Sequence, residues 1–222
     1  MTVREPALLE AQGLCMSYRG VRVLHPVSFR LEAGECLGIA GANGSGKSTL
    51  LALLAQARKP EAGRTLYRGR DTAGDRRFPR QVLGYVPQDS QLALELTAGE
   101  QLALWRAACG LRGPVQEELI ALLGLEGLLK RRLGELSGGM RQRVSIAMAL
   151  STGREVLALD EASSGLDEGY REGLLSWMEN FLAGGGCAVW CTHLPDELER
   201  LCSSCMTLRE GRAYWGDGPV PL

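Results

Sequence analysis

The chain has 222 residues, 45% of them hydrophobic and 23% charged, with a formal net charge of −1. This balance suits one soluble domain with a substantial core. It offers no basic footprint for nucleic acid, and no run approaches the ~18 apolar residues of a membrane span.

The first residues, Met1-Thr2-Val3-Arg4-Glu5-Pro6, lack the apolar segment of a secretory signal. The expected location is therefore cytoplasmic, with any membrane association made through a partner. Of the seven cysteines, Cys15, Cys36 and Cys109 stand apart, Cys187 and Cys191 sit in an apolar segment, and Cys202 and Cys205 form a single CxxC. With His25 and His193 as the only histidines, this is poor zinc spacing; reduced, packed thiols are expected.

In chain order, alternating apolar residues predict strands over 8–18, 21–24 and 27–31, with a turn at Tyr18-Arg19-Gly20. Residues 35–40 read as a buried strand, and Leu50, Leu51, Leu53 and Leu54 as the apolar face of a helix. After a break at 59–63 come a short strand at 64–67, a polar exposed connection at 71–80, and a strand at 83–86 ended by Pro87. Thr97 and Glu100 have capping-box spacing, and Leu102, Leu104, Trp105 and Ala108 continue a helix from them. Short helices are predicted at 117–123 and 125–129, and a longer one from Ser137 carrying Val144, Ile146, Ala147, Met148 and Leu150. A strand at 155–160, an amphipathic helix with Leu174, Leu175, Met178, Phe181 and Leu182, and a strand at 187–192 follow. A helix after Pro195 and strands near 206–208 and 212–215 end the chain. Strands alternating with helices imply an α/β fold with a mainly parallel sheet covered on both faces and antiparallel strands at the start.

Gly41-Ala42-Asn43-Gly44-Ser45-Gly46-Lys47-Ser48-Thr49 lies between the strand at 35–40 and the helix after it. Its glycines let consecutive backbone N–H groups curl around a polyphosphate. Lys47 supplies a point charge for the outer phosphates, Ser48 a hydroxyl for Mg²⁺, and the helix start a partial positive charge. The expected ligand is a nucleoside triphosphate. The apolar strand Val156-Leu157-Ala158-Leu159 ends in Asp160 and Glu161. Strand ends and phosphate loop share one edge of a parallel sheet, so Asp160 is a candidate Mg²⁺ ligand and Glu161 a candidate base for an attacking water. Leu136-Ser137-Gly138-Gly139-Met140 opens another helix with a serine cap, a second anion-binding N-terminus that one nucleotide does not need. The simplest use for it is the nucleotide held by another copy of the chain.

These motifs, in this order, resemble an ATP-binding cassette (ABC) ATPase, the nucleotide-binding subunit of an ABC transporter, nearly end to end. Residues 41–48 match that family's phosphate loop, Gln88 its glutamine loop, 136–140 its signature, 159–161 its magnesium and catalytic strand end, Ser164-Gly165-Leu166-Asp167 the loop crossing its dimer, and His193 its switch histidine. The resemblance implies a P-loop NTPase with an N-terminal antiparallel β subdomain and an inserted helical subdomain. The chain would be one domain, with 1–91 and 150–222 as catalytic core and 92–149 as helical subdomain. It implies that Tyr18 stacks on adenine beside Val23, that Asn43, Gly44, Ser45, Gly46, Lys47, Ser48 and Thr49 hold the phosphates of ATP, and that Ser48, Gln88 and Asp160 surround Mg²⁺. Glu161 would be the general base and His193 the γ-phosphate contact. Ser137 and Gly139 would reach the ATP of the opposing subunit in a head-to-tail dimer supported by Asp167, which works with transmembrane permease subunits at the inner face of the cell membrane.

The chain departs from the family pattern in having Ala162-Ser163 for Pro-Thr, Met140 for Gln and Ala42 for a frequent Pro. None of these removes a group that does chemistry. Ninety positions separate Lys47 from Ser137, too few for the coiled coil of chromosome-type relatives. Ribosome-associated members place two cassettes in one chain. A P-loop kinase would not need the Leu-Ser-Gly-Gly signature. Residues 91–100 resemble the helical subdomain of export-type cassettes for drugs, haem or polysaccharides, and the chain stops without the regulatory tail of many importers. Export is therefore expected, with import and a soluble ABC-type ATPase as the alternatives.

Overall fold

The computed structural model describes residues 6–71 and 81–216. The exposed connection expected at 71–80 therefore lies, beyond Asp71, outside the described residues.

Two sheets carry the fold. An antiparallel sheet of four strands has the order β2-β1-β4-β5, formed by β1 (Leu9–Tyr18), β2 (Val21–Leu31), β4 (Ala62–Tyr67) and β5 (Arg70–Asp71). A six-stranded sheet has the order β10-β9-β3-β8-β7-β6, from β3 (Cys36–Ala40), β6 (Leu83–Val86), β7 (Val156–Asp160), β8 (Cys187–Cys191), β9 (Ser204–Arg209) and β10 (Arg212–Gly216). Every neighbouring pair in the second sheet is parallel except β9 and β10, which form an antiparallel hairpin. Among the described residues, α-helices run over α1 (Lys47–Leu54), α2 (Ala98–Ala108), α3 (Glu117–Leu122), α4 (Gly138–Leu150), α5 (Glu168–Ala183) and α6 (Pro195–Leu201), with a 3-10 turn at Leu133–Glu135.

The two strands expected at 21–24 and 27–31 are one. Pro26, which cannot donate to a ladder, is tolerated because β2 is an edge strand, and the pairing with β1 is irregular on either side of it. Residues 125–129 form a turn rather than a helix, closed by the Leu129 amide donating to the Leu125 carbonyl. On α2 the capping box is complete, with Thr97 Oγ1 accepting from the Glu100 amide and Glu100 Oε2 from the Thr97 amide. Only Leu102 of its expected apolar face is buried; Leu104 and Ala108 are exposed.

Both faces of the parallel sheet are covered, which explains why β8 is apolar throughout and β7 up to Asp160. Along β7, Val156 and Ala158 join a core with Leu50, Leu51, Leu53 and Leu54 of α1 and Leu9, Leu14 and Leu24 of the antiparallel sheet. Leu157 and Leu159 face the other way, into a core with Val144 and Ile146 of α4 and Leu174 and Met178 of α5. The β8 residues alternate likewise: Cys187, Val189 and Cys191 on the first side, Ala188 and Trp190 on the second. All seven cysteines are free, and burial pushes the Cys187 thiol up to about 12.

What matters for the site is the level of the strand ends. Cys191 pairs with Ile39 on one side and Asp160 on the other, so β3, β8 and β7 finish together and their following loops open on one edge.

Candidate active site

The loop after β3 turns sharply, with the Ser45 amide bonded to the Ala42 carbonyl. Gly46 precedes α1 with φ 108°, and a Cβ there would stand 2.9 Å from the Val23 carbonyl oxygen. Only glycine allows that approach, and it sets Val23 beside the phosphate loop. No side chain caps α1, so its first amides stay open to an anion. The Lys47 ammonium is buried and donates to the carbonyls of Gly41 at 2.6 Å and Ala42 at 3.3 Å. It lies folded over the loop's own backbone, where a phosphate oxygen would compete for it. Asn43, Gly44 and Ser48 are exposed, while Thr49 is half-buried.

Asp160 is 1% exposed, yet neither carboxylate oxygen has a hydrogen-bond partner. Burial pushes its carboxyl up; neighbouring Ser48 and Lys47 pull it down, and Glu161 and Asp89 push it further. β6 pairs in parallel with β7, Val86 opposite Leu159, which puts the Gln88 segment at this same edge, with Gln88 exposed. Two orphaned buried acceptors next to a serine hydroxyl form a donor set that suits a hard divalent cation. Glu161 adopts φ 51°, a left-handed conformation that costs about 1–2 kcal/mol for a residue with a side chain. Its amide bonds to the Cys191 carbonyl, which pins it to β8. Its carboxylate Oε2 lies 2.7 Å from Nδ1 of His193, whose side chain is 57% exposed. Thus Lys47, Ser48, Asp160, Glu161 and His193 meet at one edge.

Asp160→Asn tests the cost of that orphaned carboxylate. Removing a buried charge that only the neighbouring Ser48 and Lys47 offset raises the ligand-free melting temperature, by the equivalent of about 1–3 kcal/mol, while nucleotide binding loses its dependence on divalent cation. Unchanged melting would show that Asp160 finds a partner in solution.

Tyr18 is half-buried, with the Arg58 guanidinium 5.3 Å from its ring centroid, so a cation already covers part of this ring. Ser137 caps α4, its Oγ accepting from the Met140 amide. A Cβ on Gly139 would come within 2.6 Å of the Gly165 carbonyl, and the Gln142 side-chain Nε2 donates to the Ala162 carbonyl. The signature turn is therefore packed on the loop that follows Glu161 in the same chain. Asp167 sits exposed at the start of α5 and makes no cap. Sequence reasoning missed Glu197, Ser163 and Arg171, buried or nearly so and bonded together beneath this loop. The available signal was an acidic residue four positions after His193 on a helix that turns it inward.

Residues 24–164 match the family model described as ABC transporter. The Nod factor export ATP-binding protein I of Rhizobium johnstonii is 34% identical over 211 residues, covering 93% of this chain and 68% of that protein. A solved structure of an ATP-binding subunit of an ABC transporter superposes with TM-score 0.85 at 31% identity, over 93% of this chain and 88% of the other. A dimeric ATP-binding cassette in a post-hydrolysis state with ADP and Pi gives 0.83 at 24% identity, over 93% and 98%. The parallel sheet with its strand-edge phosphate loop is the P-loop nucleotide-binding architecture. The chain belongs to the ABC transporter family, as an ATP-binding subunit that hydrolyses ATP.

Proposed function

We propose that this subunit powers export: two copies close head to tail on two ATP molecules, and hydrolysis reopens them, moving transmembrane permease subunits at the inner face of the membrane. Support for the direction comes from the relative, which is named for export. The observation that carries the chemistry is the meeting of Lys47, Asp160, Glu161 and His193 where β3, β7 and β8 end level.

In this reading ATP draws the Lys47 ammonium from the Gly41 and Ala42 carbonyls onto its outer phosphates. The open amides of the loop and of α1, from Asn43 to Thr49, complete the cradle. Val23 and Tyr18 flank the base, with Arg58 moving or sharing the Tyr18 face. Ser48, Asp160 and Gln88 would hold Mg²⁺, which would supply charge neutralisation for the phosphates there. Glu161 takes the proton of the attacking water, and His193, already at hydrogen-bond distance from that carboxylate, orients the water and contacts the γ-phosphate. Across the dimer, Ser137 and the amides at Gly139 present a second helix N-terminus to the same phosphate, and Asp167 steadies the contact. Segment 92–149 acts as the helical subdomain between permease and signature.

Among the described residues no helix is long and apolar enough to cross a membrane, so transport needs a partner. A tagged chain purified from its native membranes should retain a multi-span membrane protein that raises its ATPase rate. Recovery of the chain with no membrane protein bound would contradict the transporter reading.

A further inference from the structure

Glu197 is fully buried, and such a charge persists only when donors surround it. Three do. Ser163 Oγ and Trp190 Nε1 donate to its Oε2 at 2.9 and 3.1 Å, and Arg171 Nε donates to its Oε1 at 2.8 Å. Each donor comes from an element that leads to or from a proposed active-site residue. Ser163 stands two residues after Glu161, Trp190 lies on the strand that runs into His193, and Arg171 is on the first turn of α5 just after Asp167. Glu197 itself follows His193 by four residues, on α6.

The two arms that leave β7 and β8 are thus joined twice. The outer joint is the Glu161–His193 contact, which is exposed on the histidine side. The inner joint is Ser163–Glu197, buried on both sides. When a γ-phosphate and water enter between Glu161 and His193, the outer joint must open. The inner one has no reason to. Glu161 holds a left-handed conformation that would relax if its loop were free; its own amide is tied to the Cys191 carbonyl, and the inner joint ties down the residues that follow it.

We propose that Glu197 is a positioning residue for hydrolysis, which through the Ser163 hydroxyl keeps the Glu161 carboxylate aligned with His193 after ATP has separated them. The inference rests on the assignment of Glu161 and His193 given above.

The test is Ser163→Ala in the full chain, which deletes the inner joint and leaves Glu197 paired with Arg171 and Trp190. A lost loop-positioning bond should lower kcat by about tenfold, with KM for ATP and ATP affinity within about twofold of wild type. Ser163→Thr should restore most of the rate. Wild-type kcat in the alanine variant overturns the proposal. So does a loss shared by kcat, ATP affinity and melting temperature that threonine does not rescue, because that would be a structural role only. Glu161→Gln is measured alongside. Should it retain turnover, the assignment of the base fails; should it be inactive while Ser163→Ala is normal, only the present inference fails.

Discussion

Glu161→Gln stops turnover while ATP still binds and the closed dimer accumulates. The amide keeps the shape and the hydrogen-bonding reach of the side chain toward His193, 2.7 Å away, but it cannot accept the proton of water. Loss of a positioned general base costs on the order of 10²–10⁴ in rate. Lys47 and the open amides of α1, which are proposed to do the binding, are untouched. Size-exclusion chromatography with and without ATP reads the trapped dimer, and phosphate release reads the rate. Turnover within a few-fold of wild type would remove Glu161 as the base.

Lys47→Ala acts at the other end of the reaction and weakens binding itself. The ammonium is buried, already desolvated and fixed by two carbonyls of its own loop, so little order remains to be lost when it turns to phosphate. A charge-assisted hydrogen bond of this kind is worth about 1.5–3 kcal/mol, equivalent to roughly 10- to 150-fold in affinity. Its deletion also frees the Gly41 and Ala42 carbonyls, which then face the phosphates unneutralised. Titration with a fluorescent ATP analogue measures the change; wild-type affinity would contradict the phosphate-loop role.

The candidate site was legible in the sequence where its proposed chemistry is contiguous. The glycine loop from Gly41 to Thr49 and the strand ending in Asp160 and Glu161 each combine a local backbone requirement with the residues proposed to act, so a short window holds the whole signal. Capping chemistry was legible for the same reason at Thr97 and Ser137, where the partner lies three residues away. Less legible were features decided by distant neighbours. Strands were expected at 21–24 and 27–31, but Pro26 between them lies on an edge strand, where no ladder donor is needed, and β2 runs through it. Residues 125–129 have helical composition, yet packing against the parallel-sheet core through Leu125 and Leu128 favours a turn. Leu104 fits a helical apolar stripe and is 58% exposed, because α2 packs along the Leu102 side. Glu197 reads as one more surface acid on a short helix; its partners Ser163 and Arg171 stand 34 and 26 positions away.

The central claim is that each hydrolytic pocket is completed by a second copy, and mixing defective chains tests it most directly. Ser137→Arg places a bulky cation at an exposed position, spoiling the signature at the cost of one helix cap, about 1 kcal/mol. Lys47→Ala spoils the phosphate loop. Each alone should be nearly inactive. Mixed in equal amounts, they form heterodimers with one intact pocket, built from the phosphate loop of the first and the signature of the second, and ATPase activity should rise well above either parent. Activity that stays at the parental level at every ratio, with heterodimers demonstrably present, would contradict the account.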